Sequence, residues 1–243
     1  MPKFFVDPAA LREGSVLLDG DNAAHIAKTL RMRPGELLTV CDGEATDYTC
    51  RILSSSPSLV EAEILSSERC PAEPETEVTL YMALPKSDKL ELVVQKAVEL
   101  GAARICVYRS SRCIPDPDTR AFEKRLQRLR RIAAEAAGQS YRGRIPEVTG
   151  LLSFSAMLKD AAASDMPLFF YEHGGTSLKT LLGEKPFRTA AAVVGPEGGF
   201  SEEEAEAAKA AGLFTAHLGP RILRCETAAI GTVTMILYHT DSY

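Results

Sequence analysis

Residues 189–204 read TAAAVVGPEGGFSEEE, in which an apolar run is followed by a glycine-rich turn and by the start of a helix. Ser201 and Glu204 have the S-x-x-E spacing of a helix capping box, and Gly212 is placed to end the same helix. An apolar strand that leads through a short turn into a helix is the repeating unit of a parallel sheet covered by helices. This stretch therefore predicts an α/β fold.

The same alternation continues on both sides of this stretch. Further strands are predicted at VTLYMAL, RICVY, PLFFYE and FTAHLG, and helices at 90–100, at 119–137, near Leu178 and at the end of the chain. The apolar stripe of helix 90–100 consists of Leu90, Val93, Val94, Ala97 and Val98. We therefore predict an α/β domain over residues 73–243.

Residues 1–65 have a different pattern, in which short strands dominate. The predicted strands are 4–6, 15–18, 36–41, 47–53 and 59–65. Asp42-Gly43 predicts a tight hairpin turn. One helix interrupts the strands, with an apolar face formed by Ala23, Ile26, Ala27 and Leu30. Residues 66–77 (SSERCPAEPETE) have the composition of an exposed linker, so we expect a small β-barrel domain over residues 1–72.

Composition excludes several classes of protein. The 243 residues are 45% hydrophobic and 25% charged, as is ordinary for a globular protein. The apolar stretch 227–238 has 12 residues, whereas a bilayer-spanning helix needs ~20. The first apolar run, FFV, is too short for a secretion signal. We therefore expect a soluble, cytoplasmic protein without a membrane partner.

The cysteines and histidines show no metal-binding pattern. The six cysteines contain no C-x-x-C pair, and the four histidines stand apart without a nearby carboxylate at ligand spacing. Neither a metal site nor a disulfide framework is expected.

The net charge of −5 conceals a basic window. Between residues 120 and 144 there are eight basic side chains and two acidic ones, which gives this window a charge of +6. Such a window is typical of a solvated helix face, and it is also typical of a surface that contacts nucleic acid phosphates. The charge pattern alone leaves both interpretations open.

Two loops occupy the positions where open parallel sheets bind ligands, beyond the carboxyl ends of strands. They are 195–199 (GPEGG) and 218–227 (LGPRILRCET). The chain contains neither G-x-x-x-x-G-K-[ST] nor G-x-G-x-x-G, and three glutamates open the helix after the first loop, where they would repel a phosphate. A nucleoside cofactor without phosphate fits better, and the alternative is that GPEGG is a plain connecting turn.

The string VVGPEGGFSEEE at 193–204, followed by LGPRILRCETAA at 218–229, resembles the two cofactor loops of the RsmE group of SPOUT-class methyltransferases. Those enzymes methylate N3 of a uridine in small-subunit (16S) ribosomal RNA. Further similarity lies in Lys86 and in residues 89–101, 109–113 and 135–148, while AHIAKTLRMRPGE at 24–36 is similar to the PUA-like RNA-binding domain of the group.

This resemblance implies a parallel sheet tied into a trefoil knot, an amino-terminal PUA-like barrel, S-adenosylmethionine as the methyl donor, and a homodimer. By position it assigns cofactor contacts to Gly195, Pro196, Glu197, Gly198, Gly199, Leu218, Gly219, Ile222 and Leu223, with Glu172 and His173 bordering the same pocket. The chain departs from the group at Cys225, where threonine is more usual, and at Lys3, where arginine is common.

Methyl transfer from a sulfonium needs positioning, and it needs neither a metal nor a covalent nucleophile. Because N3 of uridine carries a proton at neutral pH, the reaction also needs a base or an electrostatic aid. We predict that Arg224, with Arg221 as a second candidate, stabilises negative charge on the uracil oxygens, and that Glu197 or Glu226 accepts the proton. The alternatives are a surface ion pair or a helix cap for Arg224 and Glu226, and simple packing for Cys225.

An RNA substrate would need cations for its phosphates. The candidates are Arg31, Arg33, Arg112, Arg128, Arg131, Arg142, Arg144 and Arg221. The partner would be ribosomal RNA or the assembled small subunit, and the sequence leaves this choice and the target nucleotide open. Two other functions compete with methyl transfer. One is a non-catalytic RNA-binding protein that uses the barrel and the basic helix, and the other is an enzyme with a phosphate-bearing cofactor.

Overall fold

We describe the protein from a computed structural model that covers residues 1–115 and 117–240. The chain forms two compact units. Unit 1 consists of Met1–Glu73 together with Ala137–Ile145, and unit 2 consists of Pro74–Ala136 together with the chain from Pro146 onward. The division at residues 72/73 remains a prediction about domains. The inclusion of the distant segment Ala137–Ile145 in unit 1, which we call the strap, has no counterpart in the sequence analysis.

Unit 1 is built on a six-stranded sheet. Its strands are β1 (Lys3–Phe5), β2 (Leu11–Arg12), β3 (Ser15–Asp19), β4 (Leu37–Cys41), β5 (Thr46–Ser55) and β6 (Leu59–Arg69). They lie in the order β1-β4-β5-β6-β3-β2, with β1 parallel to β4 and all other pairs antiparallel. The β4–β5 connection contains Asp42 and Gly43, as predicted, and Gly43 has a φ of 77° that favours glycine.

The core of unit 1 follows the alternation of its strands. Val16, Leu38, Val40, Ile52 and Val60 are fully buried, because alternate side chains of each strand point to the same face. Helix α1 (Gly20–Ala24) continues as a π-helical turn over His25–Thr29 and contributes Ala23 and Ile26 to this core.

The predicted apolar face of this helix is wrong at its end. Leu30 is 41% exposed, although the 3.6-residue period places it with Ile26. The reason is the wider π-turn, in which the N–H of Leu30 donates to the carbonyl of His25, five residues back. The extra residue in the turn shifts Leu30 out of the buried stripe.

The predicted exposed linker over residues 66–77 is also wrong in part. Strand β6 continues to Arg69, and both Cys70 and Thr76 are buried. The side chain of Glu73 is only 6% exposed, because its carboxylate binds the strap. This proline- and glutamate-rich segment packs into unit 1 because the carboxylate of Glu73 pairs with Arg142, 69 residues later in the sequence.

The strap is fixed by two ion pairs of unit 1 whose side chains are largely covered. Arg142 donates from Nε and Nη2 to Glu73, at 2.7 and 3.0 Å, and the backbone N–H groups of Gly143 and Arg144 donate to the same carboxylate at 2.8 and 3.1 Å. Lys3 pairs with Asp47 at 2.6 Å and also donates to the carbonyl of residue 141. Glu73 therefore has four donors, as a buried carboxylate requires.

Unit 2 contains a seven-stranded parallel sheet. Its strands are β7 (Glu77–Ala83), β8 (Arg104–Tyr108), β9 (Glu147–Leu152), β10 (Met166–Phe170), β11 (Thr176–Ser177), β12 (Thr189–Val194) and β13 (Phe214–His217). Their order is β11-β13-β10-β12-β7-β8-β9, and every pair is parallel. The predicted strand–helix alternation is confirmed, whereas β9 and the helix after it were not predicted.

Helices accompany this sheet along the chain. They are α2 (Lys89–Glu99), α3 (Thr119–Gln139), α4 (Phe154–Ala161), α5 (Leu178–Leu182), α6 (Glu202–Ala210) and α7 (Cys225–His239). All five residues of β10 are buried, as are the last five of β12, because the sheet is covered on both faces. The rings of Phe169 and Phe200 stack with centroids 4.1 Å apart in this core. The capping box of Ser201 and Glu204 is present, as predicted.

Parallel pairing brings the carboxyl ends of β13, β10, β12 and β7 to one edge of the sheet. The loops that leave these four neighbouring strands are therefore placed side by side. Within residues 1–115 and 117–240, no helix has the length and apolar character needed to cross a membrane. The same residues hold no group of three or more histidine, cysteine or acidic side chains placed for a metal ion.

Candidate active site

The loop after β12, residues 195–199, is closely packed at two of its glycines. A Cβ on Gly195 would lie 3.0 Å from the ring of Phe200. Gly199 has a φ of 65°, and a Cβ there would collide with the carboxylate of Glu172. The positive φ favours glycine at 199, and a Cβ at 195 would require the ring of Phe200 to move by a few tenths of an ångström, so the backbone at these two glycines is open to close approach by a ligand.

Residues 109–113 support this loop. The guanidinium of Arg112 donates to the carbonyl of Gly198 at 2.9 Å. The buried carboxylate of Glu204 accepts from the N–H of Ser111 at 2.8 Å and from the hydroxyl of Ser110 at 3.2 Å. Because Glu204 also caps helix α6, the β8–α3 loop and the start of α6 are tied together around residues 195–199.

The second loop, residues 218–224, connects β13 to α7. Gly219 has a φ of 106°, and its N–H donates to Nδ1 of His217 at 3.1 Å. Arg224 has extended backbone angles and directly precedes the first turn of α7, without a hydrogen bond from its side chain to that turn. The guanidinium is therefore directed by the loop and is not used as a helix cap.

The two loops enclose one cavity of about 530 Å³, which is within the size range of small-molecule sites (~300–1,000 Å³). His173 is not among the lining residues, contrary to the prediction, whereas ten residues that the resemblance places at the pocket do line it. They are Glu172, Gly195, Pro196, Glu197, Gly198, Gly199, Leu218, Gly219, Ile222 and Leu223. Arg221, Arg224 and Lys89 also line this cavity, as do His217 and Cys225.

Lys89 connects the two carboxylates that the sequence analysis named. Its Nζ lies 3.1 Å from Oε1 of Glu197 and 3.2 Å from Oε2 of Glu226. The backbone N–H of Lys86 also donates to Glu197, at 3.1 Å. Sequence reasoning missed the role of Lys89. One signal was available, because Lys89 follows the carboxyl end of β7 and ligands bind at that edge of a parallel sheet.

The electrostatics of this cluster favour ionised carboxylates. Burial acts to raise the pKa of Glu197 and of Glu226, but for each of them its own backbone N–H and the Lys89 ammonium together hold the pKa below its ordinary value of 4.5. Burial, followed by the hydrogen bond to Glu226, raises the pKa of the Cys225 thiol to about 12. At neutral pH, Cys225 is therefore a protonated thiol and not a nucleophile.

Comparison with known proteins places the chain in a family. The model of an RNA methyltransferase domain matches residues 72–237, and that of an RNA methyltransferase PUA domain matches residues 18–65. The ribosomal RNA small subunit methyltransferase E of Bacillus subtilis is 31% identical over 92% of this chain and 90% of its own length. This chain belongs to the ribosomal RNA small subunit methyltransferase E family.

Two further relatives agree with this assignment. The protein of the same name from Mycobacterium bovis is 32% identical over 98% of this chain and 93% of its own. A crystal structure of the Neisseria gonorrhoeae methyltransferase E bound to S-adenosyl methionine has a TM-score of 0.82, with 32% identity over 98% of this chain and 97% of that one. The predicted fold class, a parallel α/β methyltransferase domain with an amino-terminal PUA-like domain, is confirmed, while the knot stays a prediction.

Family membership directs attention to the two arginines of the cavity. Arg221 and Arg224 are exposed there. Within residues 1–115 and 117–240, neither guanidinium has a hydrogen bond or ion-pair partner. Glu226 binds Lys89 and the thiol of Cys225 instead, so the alternative of an Arg224–Glu226 surface pair is not what the structure contains. Two positive charges are thus available to a ligand.

The predicted RNA contacts divide into exposed and buried residues. Exposed arginines are Arg31, Arg33, Arg112, Arg128, Arg131, Arg144 and Arg221. The prediction for Arg142 is wrong, because this residue is 2% exposed and its guanidinium pairs with Glu73. Arg125 is likewise engaged within unit 2, by Glu91 at 2.8 Å. The basic window is therefore partly neutralised inside the protein.

Proposed function

We propose that this protein transfers the methyl group of S-adenosylmethionine to N3 of a uridine in small-subunit ribosomal RNA. The observation that carries the proposal is the cavity between residues 195–199 and 218–224, which combines a glycine surface with two unpaired guanidinium groups. The names of the relatives and the S-adenosyl methionine bound to the Neisseria gonorrhoeae protein support the same reaction.

The residues of the cavity fit this cofactor. The volume of about 530 Å³ suits a nucleoside of its size, and Gly195 and Gly199 allow it to approach the backbone closely. Three glutamates in the first turn of α6 disfavour a phosphate, and the cofactor has none. The ten lining residues named above would hold it. When bound, S-adenosylmethionine supplies an electrophilic methyl group on a sulfonium that departs as a neutral thioether.

Arg224 would stabilise the acceptor as its charge develops. Loss of the N3 proton spreads negative charge over the two uracil carbonyl oxygens. A guanidinium that is already in place, and that has no other partner, interacts with this charge without prior reorganisation. Arg224 and Arg221 both line the cavity, and we assign the larger effect to Arg224 because it directly precedes α7, two residues before Glu226.

Glu197 and Glu226 would be the proton acceptors. Both are ionised at neutral pH, but their lowered pKa values make them weak bases. The arginines therefore carry the greater share of the rate enhancement. Lys89 positions the two carboxylates, and Cys225 stays protonated and takes no covalent part.

RNA binding would involve both units through their exposed arginines. Arg31, Arg33 and Arg144 lie in unit 1, while Arg112, Arg128, Arg131 and Arg221 lie in unit 2. Their contacts to phosphates would supply affinity and orientation, since phosphates carry no sequence information. We further propose that residues 1–72 act as the RNA-binding domain, that the active protein is a homodimer, and that it works in the cytoplasm on ribosomal RNA or on the assembled small subunit.

A direct test is incubation of the purified protein with labelled S-adenosylmethionine and either deproteinised small-subunit ribosomal RNA or assembled small subunits. We expect label at N3 of one uridine, located by mass spectrometry of RNA fragments. RNA binding without cofactor binding at millimolar concentration in calorimetry would instead identify a non-catalytic RNA-binding protein. Tight binding of ATP or NAD would favour an enzyme with a phosphate-bearing cofactor.

A further inference from the structure

Helix α3 ends in the strap with an unusual residue. The N–H of Tyr141 donates to the carbonyl of Gly138 at 3.3 Å, and the N–H of Arg142 donates to that of Ala137 at 2.9 Å. These two bonds define a Schellman-type helix end, in which one residue adopts the left-handed conformation and is usually glycine. Here that residue is Tyr141, with a φ of 57°.

Contacts on both sides hold Tyr141 in this conformation. Its carbonyl accepts from Nζ of Lys3 at 3.1 Å and from the thiol of Cys70 at 3.4 Å. The following residue, Arg142, is fixed by its buried pair with Glu73. The surrounding structure of unit 1 therefore determines the backbone here, and it does so for a residue type that this conformation disfavours.

The side chain of Tyr141 points outward. It is 55% exposed, and among the described residues of unit 1 it is the only tyrosine or phenylalanine in the exposed class. The ring is not part of the apolar cluster that forms the core of the unit. Glycine would satisfy the backbone at lower conformational cost, so the backbone conformation does not explain the presence of a tyrosine.

The neighbours of Tyr141 indicate what the ring could bind. The other exposed side chains of the strap are Gln139, Arg144 and Ile145, so an aromatic ring and a cation lie three residues apart on one fixed segment. Sites for single-stranded RNA combine these two elements, because aromatic rings stack on unpaired bases while arginine contacts the phosphates. The left-handed backbone sets the direction of the Cα–Cβ bond of Tyr141.

We infer that Tyr141 stacks on an unpaired base of the substrate RNA. The inference rests on the proposed function, and it adds a base-contacting residue in unit 1, outside the cavity and separate from the arginine contacts. Since every base has a flat aromatic face, the contact is tolerant of sequence and contributes affinity and register. The strap, held by Glu73 and Lys3, is the rigid support that such a ring needs.

The variant Tyr141→Gly tests the inference without endangering the fold, because glycine accepts a φ of 57° readily. We expect its thermal unfolding temperature to equal or exceed that of the wild type. Its affinity for small-subunit ribosomal RNA, measured by fluorescence anisotropy, should fall by roughly 5- to 100-fold, as expected for loss of one stacked base. Tyr141→Phe keeps the ring and should bind within about twofold of the wild type.

The salt dependence distinguishes stacking from charge. Tyr141→Gly should leave the slope of log affinity against log salt concentration unchanged, because the ring carries no charge, whereas Arg144→Gln should make the slope shallower. Affinity for S-adenosylmethionine should be unchanged in both variants.

The outcomes separate this inference from the proposed function. Equal RNA affinity of Tyr141→Gly and the wild type would overturn the stacking role, as would a loss in Tyr141→Phe as large as in Tyr141→Gly. If the wild type methylates RNA and the glycine variant does so with unchanged affinity, only this inference fails. If the wild type neither binds nor methylates ribosomal RNA, the proposed function fails with it.

Discussion

Each unit contains a cluster in which acidic and basic side chains are paired. Comparison of the two clusters shows how burial determines what a charged residue does. In unit 1 the side chains of Glu73 and Arg142 are 6% and 3% exposed, and they bind each other and the strap backbone. In unit 2 the side chains of Lys89 and Glu197 are each 27% exposed, and they border a cavity. The first cluster has its hydrogen bonds satisfied internally, whereas the second lies beside Arg221 and Arg224, which are open to a ligand.

The difference between the clusters is one of environment and not of residue type. Both contain glutamates bound to a basic side chain at about 3 Å. A buried pair that loses one partner leaves an uncompensated charge, while a partly exposed pair is relieved by water. The contrast therefore predicts structural consequences for changes in unit 1 and chemical consequences for changes in unit 2.

The largest expected effect is on stability, from Arg142→Met. This change leaves the carboxylate of Glu73 buried with only backbone donors, so the free energy of unfolding should fall by about 3–5 kcal/mol. Urea denaturation followed by circular dichroism measures it. The matched control is Arg51→Met, which removes a pair with Glu63 in which both side chains are about half exposed, at an expected cost below ~1 kcal/mol. Equal unfolding midpoints for the two variants would refute the contrast.

The next effect is on catalysis, from Arg224→Ala. Loss of one preorganised cation should lower the rate of methyl transfer by about 10²- to 10³-fold, while the urea midpoint stays unchanged. The assay is label transfer from S-adenosylmethionine under single-turnover conditions. Arg188→Ala, an exposed arginine just before the amino end of β12, is the control and should retain full activity. Retained turnover in Arg224→Ala would remove this residue from the mechanism.

A smaller effect is expected from Gly199→Ala. The added methyl group would meet the carboxylate of Glu172, so this cavity-lining side chain must move, and a loss of ~1.4 kcal/mol in binding free energy would weaken cofactor affinity about tenfold. Gly212→Ala is the control, since Gly212 also has a positive φ of 88° but no atom within 4 Å of the new Cβ. Each variant should lose about 1–2 kcal/mol of stability through the backbone conformation. Calorimetry should show weaker cofactor binding for Gly199→Ala alone.

The smallest effect concerns pH, in Lys89→Met. Because the pKa values of Glu197 and Glu226 lie below 4.5 in the folded protein, their ionised forms stabilise the fold above that pH, and this contribution is lost as pH falls through the lowered values. Removing Lys89 moves both pKa values upward. The difference in unfolding free energy between wild type and variant should therefore be greatest near pH 7 and shrink toward pH 3. Lys179→Met, an exposed lysine of α5, controls for loss of charge, and a difference independent of pH would contradict the proposed coupling.

The sequence was sufficient for features that depend on local signals. Hydrophobic period, capping residues and glycine turns placed the strand–helix alternation, the box at Ser201 and the two loops 195–199 and 218–224 correctly. A parallel sheet then brings such loops to one edge, which is why ten of the eleven residues that the resemblance places at the pocket line one cavity, with His173 as the exception.

The sequence was insufficient where the deciding partner is distant. Glu73 and Arg142 are separated by 69 positions, and nothing local distinguishes a glutamate in a proline-rich segment from an exposed one. Lys89 meets Glu197 and Glu226 only through the topology of the sheet. Strand β9 and helix α4 were missed because their hydrophobic patterns are weak, and in β9 only Val148 is buried.

The strap has a consequence for how the protein is made. Unit 1 includes residues 137–145, so a nascent chain that has emerged only to residue 73 lacks the arginine that neutralises Glu73. Vectorial synthesis would leave this first portion incomplete until nearly sixty per cent of the polypeptide has left the ribosome. An expression fragment that ends at residue 73 would also lack Arg142 as the partner of Glu73. Addition of a peptide with residues 137–145 should restore the stability of that fragment.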